Sequence, residues 1–145
     1  MEALLISACL LGVDCKYNGG NNRLPEDIIE GLRARYELVS VCPELEGGLS
    51  APRRPCERLD GRVINTAGED LTVPFASGAE RAAALALEKG CALALLKENS
   101  PSCGSGTIYD GSFSHTVIPG DGVTAERLRA MGLRLYGESR VEELL

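Results

Sequence analysis

The chain has 145 residues, 44% hydrophobic and 25% charged, with a net charge of −6. A domain of that length buries roughly two-thirds of its unfolded surface, so stability by itself requires neither a metal nor disulfides. The acidity argues against a broad surface for nucleic acid or anionic membrane, and without ~20 consecutive apolar residues no membrane span is expected.

Residues 3–8 are almost wholly apolar without alternation, which predicts a strand covered on both faces in a parallel sheet. No charged leader or long apolar segment precedes it, so a cytoplasmic location is expected. Cys9 ends this strand, and a turn-rich loop runs to about residue 22. Pro25, followed by Glu26 and Asp27, predicts a helix start; Ile28, Ile29 and Leu32 form its inner face, and it ends near Tyr36. A second strand, 37–41, leads into Cys42.

Residues 44–74 are rich in Gly, Pro and Arg and too long for an idle connection, so they are expected to serve a site. Within them, 62–66 and 70–73 are expected to form a small hairpin. The pattern Ser77-Gly78-Ala79-Glu80 predicts a capping box that opens an Ala- and Leu-rich helix, closed by Gly90. A strand over 91–97 then delivers the loop Ser100-Pro101-Ser102-Cys103-Gly104-Ser105-Gly106. Further on, Thr124 is expected to cap a helix through Met131, with a last strand over 133–136 and a short helix over 138–145.

Strands alternating with helices predict a single α/β domain over 1–145: a mostly parallel sheet of about four strands flanked by helices, Rossmann-like or flavodoxin-like. Ligands in such folds bind beyond the carboxyl ends of the strands. That rule brings Cys9, Cys42 and Cys103 together, because each follows a different strand.

The six cysteines include no Cys-x-x-Cys pair, which counts against a zinc ribbon or a thioredoxin-type motif. Three converging thiolates can hold a cubane iron–sulfur cluster and leave one iron without a protein ligand. They can also hold zinc with water, or leave one cysteine as a nucleophile while the others pack. Cys91 opens a buried strand and reads as core; Cys15 and Cys56 are either a fourth ligand or incidental thiols. Glu44, two positions past Cys42, is placed to move protons there, ahead of Glu46; the bland alternative is a loop cap or an arginine's partner. Ser100 and Ser102 bracket Cys103, either as proton relays or as holders of the loop's own backbone. Arg53 and Arg54 offer charge-assisted forks to a phosphate or carboxylate, or pair with Glu44 or Glu57. Gly104 and Ser105 either present N–H groups to an anion or simply turn the chain. His115 is expected on a surface loop, with a Cys103–His115 nucleophile–base pair as the competing reading.

Taken together, Ser7-Ala8-Cys9-Leu10-Leu11-Gly12, Val41-Cys42-Pro43-Glu44 with Gly47-Gly48-Leu49 and Pro52-Arg53, and Ser100 to Gly106 followed by Ile108-Tyr109-Asp110-Gly111 and Phe113 resemble the thiouracil desulfidase family. The resemblance spans nearly the whole chain, through Pro119 to Ala125. It implies an oxygen-sensitive [4Fe-4S] cluster on Cys9, Cys42 and Cys103, with an open iron that takes the thiocarbonyl sulfur of a thiolated uracil. Water replaces sulfur at the ring carbon without net electron transfer, leaving uracil or UMP and hydrogen sulfide.

The resemblance further implies Glu44 as acid–base group with Ser100 as helper. It makes 4-thiouridine monophosphate, 4-thiouracil or 2-thiouracil the substrate, met by Arg53, Ser102, Gly104 and Ser105. Cluster-assembly machinery would load the protein, and stable nucleic-acid binding is not expected. The chain departs from its relatives at Tyr17-Asn18-Gly19, where they usually read Tyr-Asp-Gly, and at Cys56, where a small residue is expected. A non-enzymatic iron–sulfur or zinc module for sulfur or metal handling is the alternative function, and it requires a fourth protein ligand such as Cys15 or Cys56.

Overall fold

In the computed structural model, which describes residues 1–145, the chain runs β1 (Glu2–Ser7), α1 (Glu26–Arg35), β2 (Tyr36–Val41), a single helical turn α2 (Pro43–Glu46), β3 (Cys56–Leu59), β4 (Arg62–Asn65) and α3 (Thr72–Lys89). It continues through β5 (Leu93–Leu96), β6 (Thr107–Tyr109), β7 (Val117–Pro119), α4 (Val123–Ala130) and β8 (Arg134–Gly137) to a terminal 3-10 segment, Glu138–Leu144. The main sheet is four-stranded and parallel, in the order β2-β1-β5-β8. β1 and β5 are central and buried on both faces, as their unbroken apolar runs require.

One face packs Leu5, Val41 and Leu96 against Ala82, Ala83 and Ala86 of α3 and Leu128 of α4. The other packs Leu4, Ile6 and Leu95 against Leu32 of α1 and against Val141 and Leu144 of the terminal segment. The expected α/β architecture with about four parallel strands and helices on both faces is therefore present.

Several local expectations fail for reasons of packing. The strand Arg62–Asn65 pairs with β3, and Asp70 keeps only an isolated bridge to Ile64. Asp70 instead accepts the Thr72 N–H at 2.9 Å and its hydroxyl at 2.5 Å, so α3 starts at Thr72, five residues before Ser77. The Ser77–Glu80 pattern lies inside that helix. Gly78 is there for contact: a Cβ would fall 1.9 Å from the Pro43 carbonyl oxygen, and one on Gly47 would fall 2.0 Å from the Pro74 oxygen. Only glycines let α2 and α3 approach this closely. Thr124 sits in the first turn of α4 rather than capping it, and the β6–β7 hairpin has no clear signal in the sequence.

Candidate active site

The carboxyl ends of β2, β1 and β5 lie level, because Ser7 pairs with Val41 and Ile6 with Leu95. Cys42 follows β2 directly, Cys9 sits in a 3-10 turn after β1, and Lys97 follows β5 and leads on to Cys103. The Ser7 hydroxyl accepts the Lys97 N–H at 3.0 Å and stitches two of these exits together. Cys9, Cys42 and Cys103 line one cavity of about 530 Å³, and Cys15 and Cys56 line it as well. All six cysteines are free thiols, and Cys91 lies apart in the core.

Cys15 is buried between the other two thiols and hydrogen-bonds to both. Its hydrogen bond is the main force that lowers Cys9 and Cys42 to about 7, against the opposing effect of burial. Asn22 and the Lys97 ammonium also favour the Cys9 thiolate, and Leu45 N–H and Arg53 favour that of Cys42. Cys15 pays in the opposite direction, driven far up as the keeper of the shared proton. Burial pushes Cys103 up to about 12, with the Ser7 and Ser102 hydroxyls pulling the other way. Ligation to a metal would displace that proton.

In reduced, metal-free protein, iodoacetamide labelling of Cys9 and Cys42 is expected to rise as pH climbs through about 7, because the thiolate is the nucleophile. Cys91 and Cys103, held protonated by burial, lag into alkaline solution. Peptide mass spectrometry across the pH range measures this, and equal reactivity at all sites would show that Cys15 does not bias its neighbours.

The Glu44 carboxylate, on α2, pairs with the Arg53 guanidinium, and both side chains are nearly buried. Arg53 is fixed further by donating to the Ser50 carbonyl at 2.9 Å and, from its backbone N–H, to Tyr17 O at 2.7 Å. It therefore orients Glu44 instead of standing ready for a phosphate. Glu46 is exposed and lies off the cavity.

Ser100 Oγ accepts the N–H groups of Ser102 and Cys103 at 3.1 and 3.0 Å, which shapes the turn that presents Cys103. With both acceptor positions used, its proton is free to be donated into the cavity that it lines. Ser102 is 1% exposed, and its hydroxyl lies 2.8 Å from Thr124 Oγ1; it anchors the loop to α4. The N–H of Gly104 goes to Ser100 O at 2.9 Å and that of Gly106 to Asp121 Oδ1 at 2.8 Å. Neither Gly104 nor Ser105 lines the cavity, and the N–H groups of Gly104 and Gly106 are taken by Ser100 and Asp121.

The profile of a family described as 2-thiouracil desulfurase matches residues 4–140. The chain belongs to that family. The uncharacterized protein YbbK of Bacillus subtilis (strain 168) is 40% identical to this desulfurase over 152 aligned positions, covering 98% of the chain and 99% of YbbK. The solved structure of TudS, a [4Fe-4S]-dependent thiouracil desulfidase, matches it with a TM-score of 0.94 and 41% identity, over 99% of this chain and 95% of that one. The chain is accordingly an enzyme of the desulfidase type.

Sequence reasoning missed four residues on the cavity wall of this desulfurase. Lys97, whose ammonium donates to Glu138 at 2.6 Å, reads only as the last residue of the strand over 91–97, which in the structure ends at Leu96. Asn22 bonds the Cys9 thiol from a loop that reads simply as turns. Tyr109 and Phe113 come from the unforeseen hairpin. His115 is exposed, as expected, but it reaches the same wall, packed edge-on to Tyr109 with centroids 6.1 Å apart. The groups acting on the Cys103 thiol are Ser7, Ser102, Cys9 and Cys42, and His115, packed on Tyr109, makes no hydrogen bond to it.

Proposed function

We propose that this desulfurase hydrolyses the thiocarbonyl of a thiolated uracil at a [4Fe-4S] cluster held by Cys9, Cys42 and Cys103. The observation that carries the reading is the delivery of three thiols by level strand ends to one cavity, beside a nearly buried carboxylate fixed by an arginine. The residues fit such a group. Soft thiolates are the donors iron–sulfur clusters use, and Lys97 and Arg53 supply positive charge close by.

When bound, a cluster with three protein ligands supplies a thiophilic Lewis acid at its remaining iron, which polarises a C–S bond. The protein's own part is proton management and orientation. Glu44, held by Arg53, accepts a proton from the water that attacks the ring carbon and returns it to the departing sulfur. Ser100 donates its remaining proton toward the reacting centre. One water is consumed and one hydrogen sulfide leaves, with no change in oxidation state. Free 2- or 4-thiouracil and 4-thiouridine monophosphate are the substrates in view; Arg54, exposed on the cavity wall, is the guanidinium left for a phosphate.

No helix is long and apolar enough to cross a membrane. A cytoplasmic enzyme loaded by cluster-assembly machinery is consistent with this reading. The test is anaerobic: reconstitute with iron and sulfide, add 4-thiouridine monophosphate or thiouracil, and follow loss of thiocarbonyl absorbance together with sulfide release. Turnover that vanishes when the cluster is stripped is the expected result. Equal turnover by the metal-free protein would overturn it.

A further inference from the structure

The segment joining β6 to β7 closes one side of the cavity, and its rings Tyr109, Phe113 and His115 lie on the wall. The proton chemistry above uses none of them. Little of the loop's shape comes from apolar burial, since Ser112, Ser114, His115 and Thr116 are all exposed. Polar contacts hold it instead. Asp110 Oδ1 accepts the Ser112 N–H at 2.9 Å and its hydroxyl at 2.6 Å, and the hydroxyls of Ser112, Ser114 and Thr116 form a chain at 2.6 and 2.8 Å.

The loop's seat on the rest of the protein depends on Glu57 of β3. This carboxylate is 8% exposed, and its Oε1 accepts the N–H of Gly111 at 2.9 Å and that of Phe113 at 3.1 Å. Gly111 rests so close to β3 that a Cβ would fall 2.8 Å from Leu59 Cβ and 2.9 Å from Arg58 O. Phe113 and His115 adopt φ of 57° and 61°, a left-handed region that residues with side chains keep only where their surroundings impose it. For Phe113 the imposing contact is Glu57.

We propose that this loop is the platform on which the flat face of the pyrimidine ring rests, and that Glu57 is the positioning residue that sets it. The inference rests on the desulfidase reading and adds what recognises the ring. A uracil presents a π-face and little else to a side wall. Aromatic side chains held rigidly at a cavity's edge stack on such a face, whichever ring atom carries the sulfur.

The experiment uses the anaerobically loaded enzyme. Glu57→Ala is expected to raise KM for a thiolated uracil at least about tenfold, with kcat within about threefold, as loss of uniform binding requires. Glu57→Gln keeps an oxygen acceptor and should hold both constants within about threefold of the wild type. Amide hydrogen exchange reads the anchor itself: Gly111 and Phe113 lose protection in Glu57→Ala and retain it in Glu57→Gln. Protection unchanged in Glu57→Ala overturns the anchoring role; lost protection with unchanged KM overturns the platform. Equilibrium binding of uracil, the product, separates this proposal from its parent. A wild type that binds uracil but turns over no thiolated pyrimidine defeats the desulfidase reading alone, and weaker uracil binding by Glu57→Ala then still supports the platform. Equal uracil binding by the two defeats it.

Discussion

Replacing Cys103 by alanine is expected to remove the cluster and sulfide release together, and the same double loss is expected at Cys9 and at Cys42. Each thiol arrives from a different strand exit, so none of the three can take over another's position without moving the end of a buried strand. Activity per chain is expected to fall by at least about a hundredfold, beyond what losing an outer contact to a metal ligand costs. Visible absorbance, bound iron and sulfide release, measured on the same preparation, check it. Cys91→Ala is the control and keeps all three, because Cys91 lies in the core beneath α3, away from the cavity. Cys15 makes the comparison sharper. It reaches Cys9 and Cys42 but is absent from the groups acting on Cys103. Residual cluster in Cys9→Ala or Cys42→Ala, with none in Cys103→Ala, would identify Cys15 as a substitute ligand. Full turnover in any of the three variants would sink the ligand set.

Glu44→Gln gives the second large effect, and it separates chemistry from assembly. Glutamine preserves the size of the side chain and an acceptor for Arg53, so the cluster is expected to load normally. Turnover should still fall at least about a hundredfold, the lower end of what a positioned acid–base group contributes, or about 2.7 kcal/mol of barrier. Glu44→Ala is the harsher variant, since it leaves the nearly buried Arg53 guanidinium without its carboxylate, and breaking a buried pair in this way costs about 3–5 kcal/mol of stability. Thermal unfolding of the two variants therefore differs while their turnover is similarly low. A near-native rate in Glu44→Gln would transfer the proton role to another group on the cavity wall, Ser100 first. Glu46 is not a candidate, being exposed and away from the cavity.

The residues that carry this chemistry divide by how far their partners lie along the chain. The apolar runs 3–8 and 91–97 announce buried parallel strands by themselves, because a strand covered on both faces has no polar side to show. From there the carboxyl-end rule gathers Cys9, Cys42 and Cys103, and two residues of spacing bring Glu44 beside Cys42. Local composition determined that much. The pairing of Arg53 with Glu44 was among the readings the sequence allowed, but packing chose it over a phosphate site.

Other features depended wholly on the tertiary structure. Gly78 inside a helix looks like a weakness until the Pro43 carbonyl is found against it, and Thr124 looks like a helix cap until Ser102 takes its hydroxyl. Glu57 has no local signature at all, since the amides it holds lie 54 and 56 positions away. Apolar periodicity and turn chemistry are properties of neighbours in sequence, so the chain displays them before it folds. Which acceptor a hydroxyl or an N–H finds is settled when separate elements are pressed together and every buried polar group must be satisfied. The sequence by itself thus determined the sheet and the three thiols at its edge, whereas the tertiary structure decided which groups orient Glu44, hold Cys103 in its turn and place an aromatic wall across the cavity.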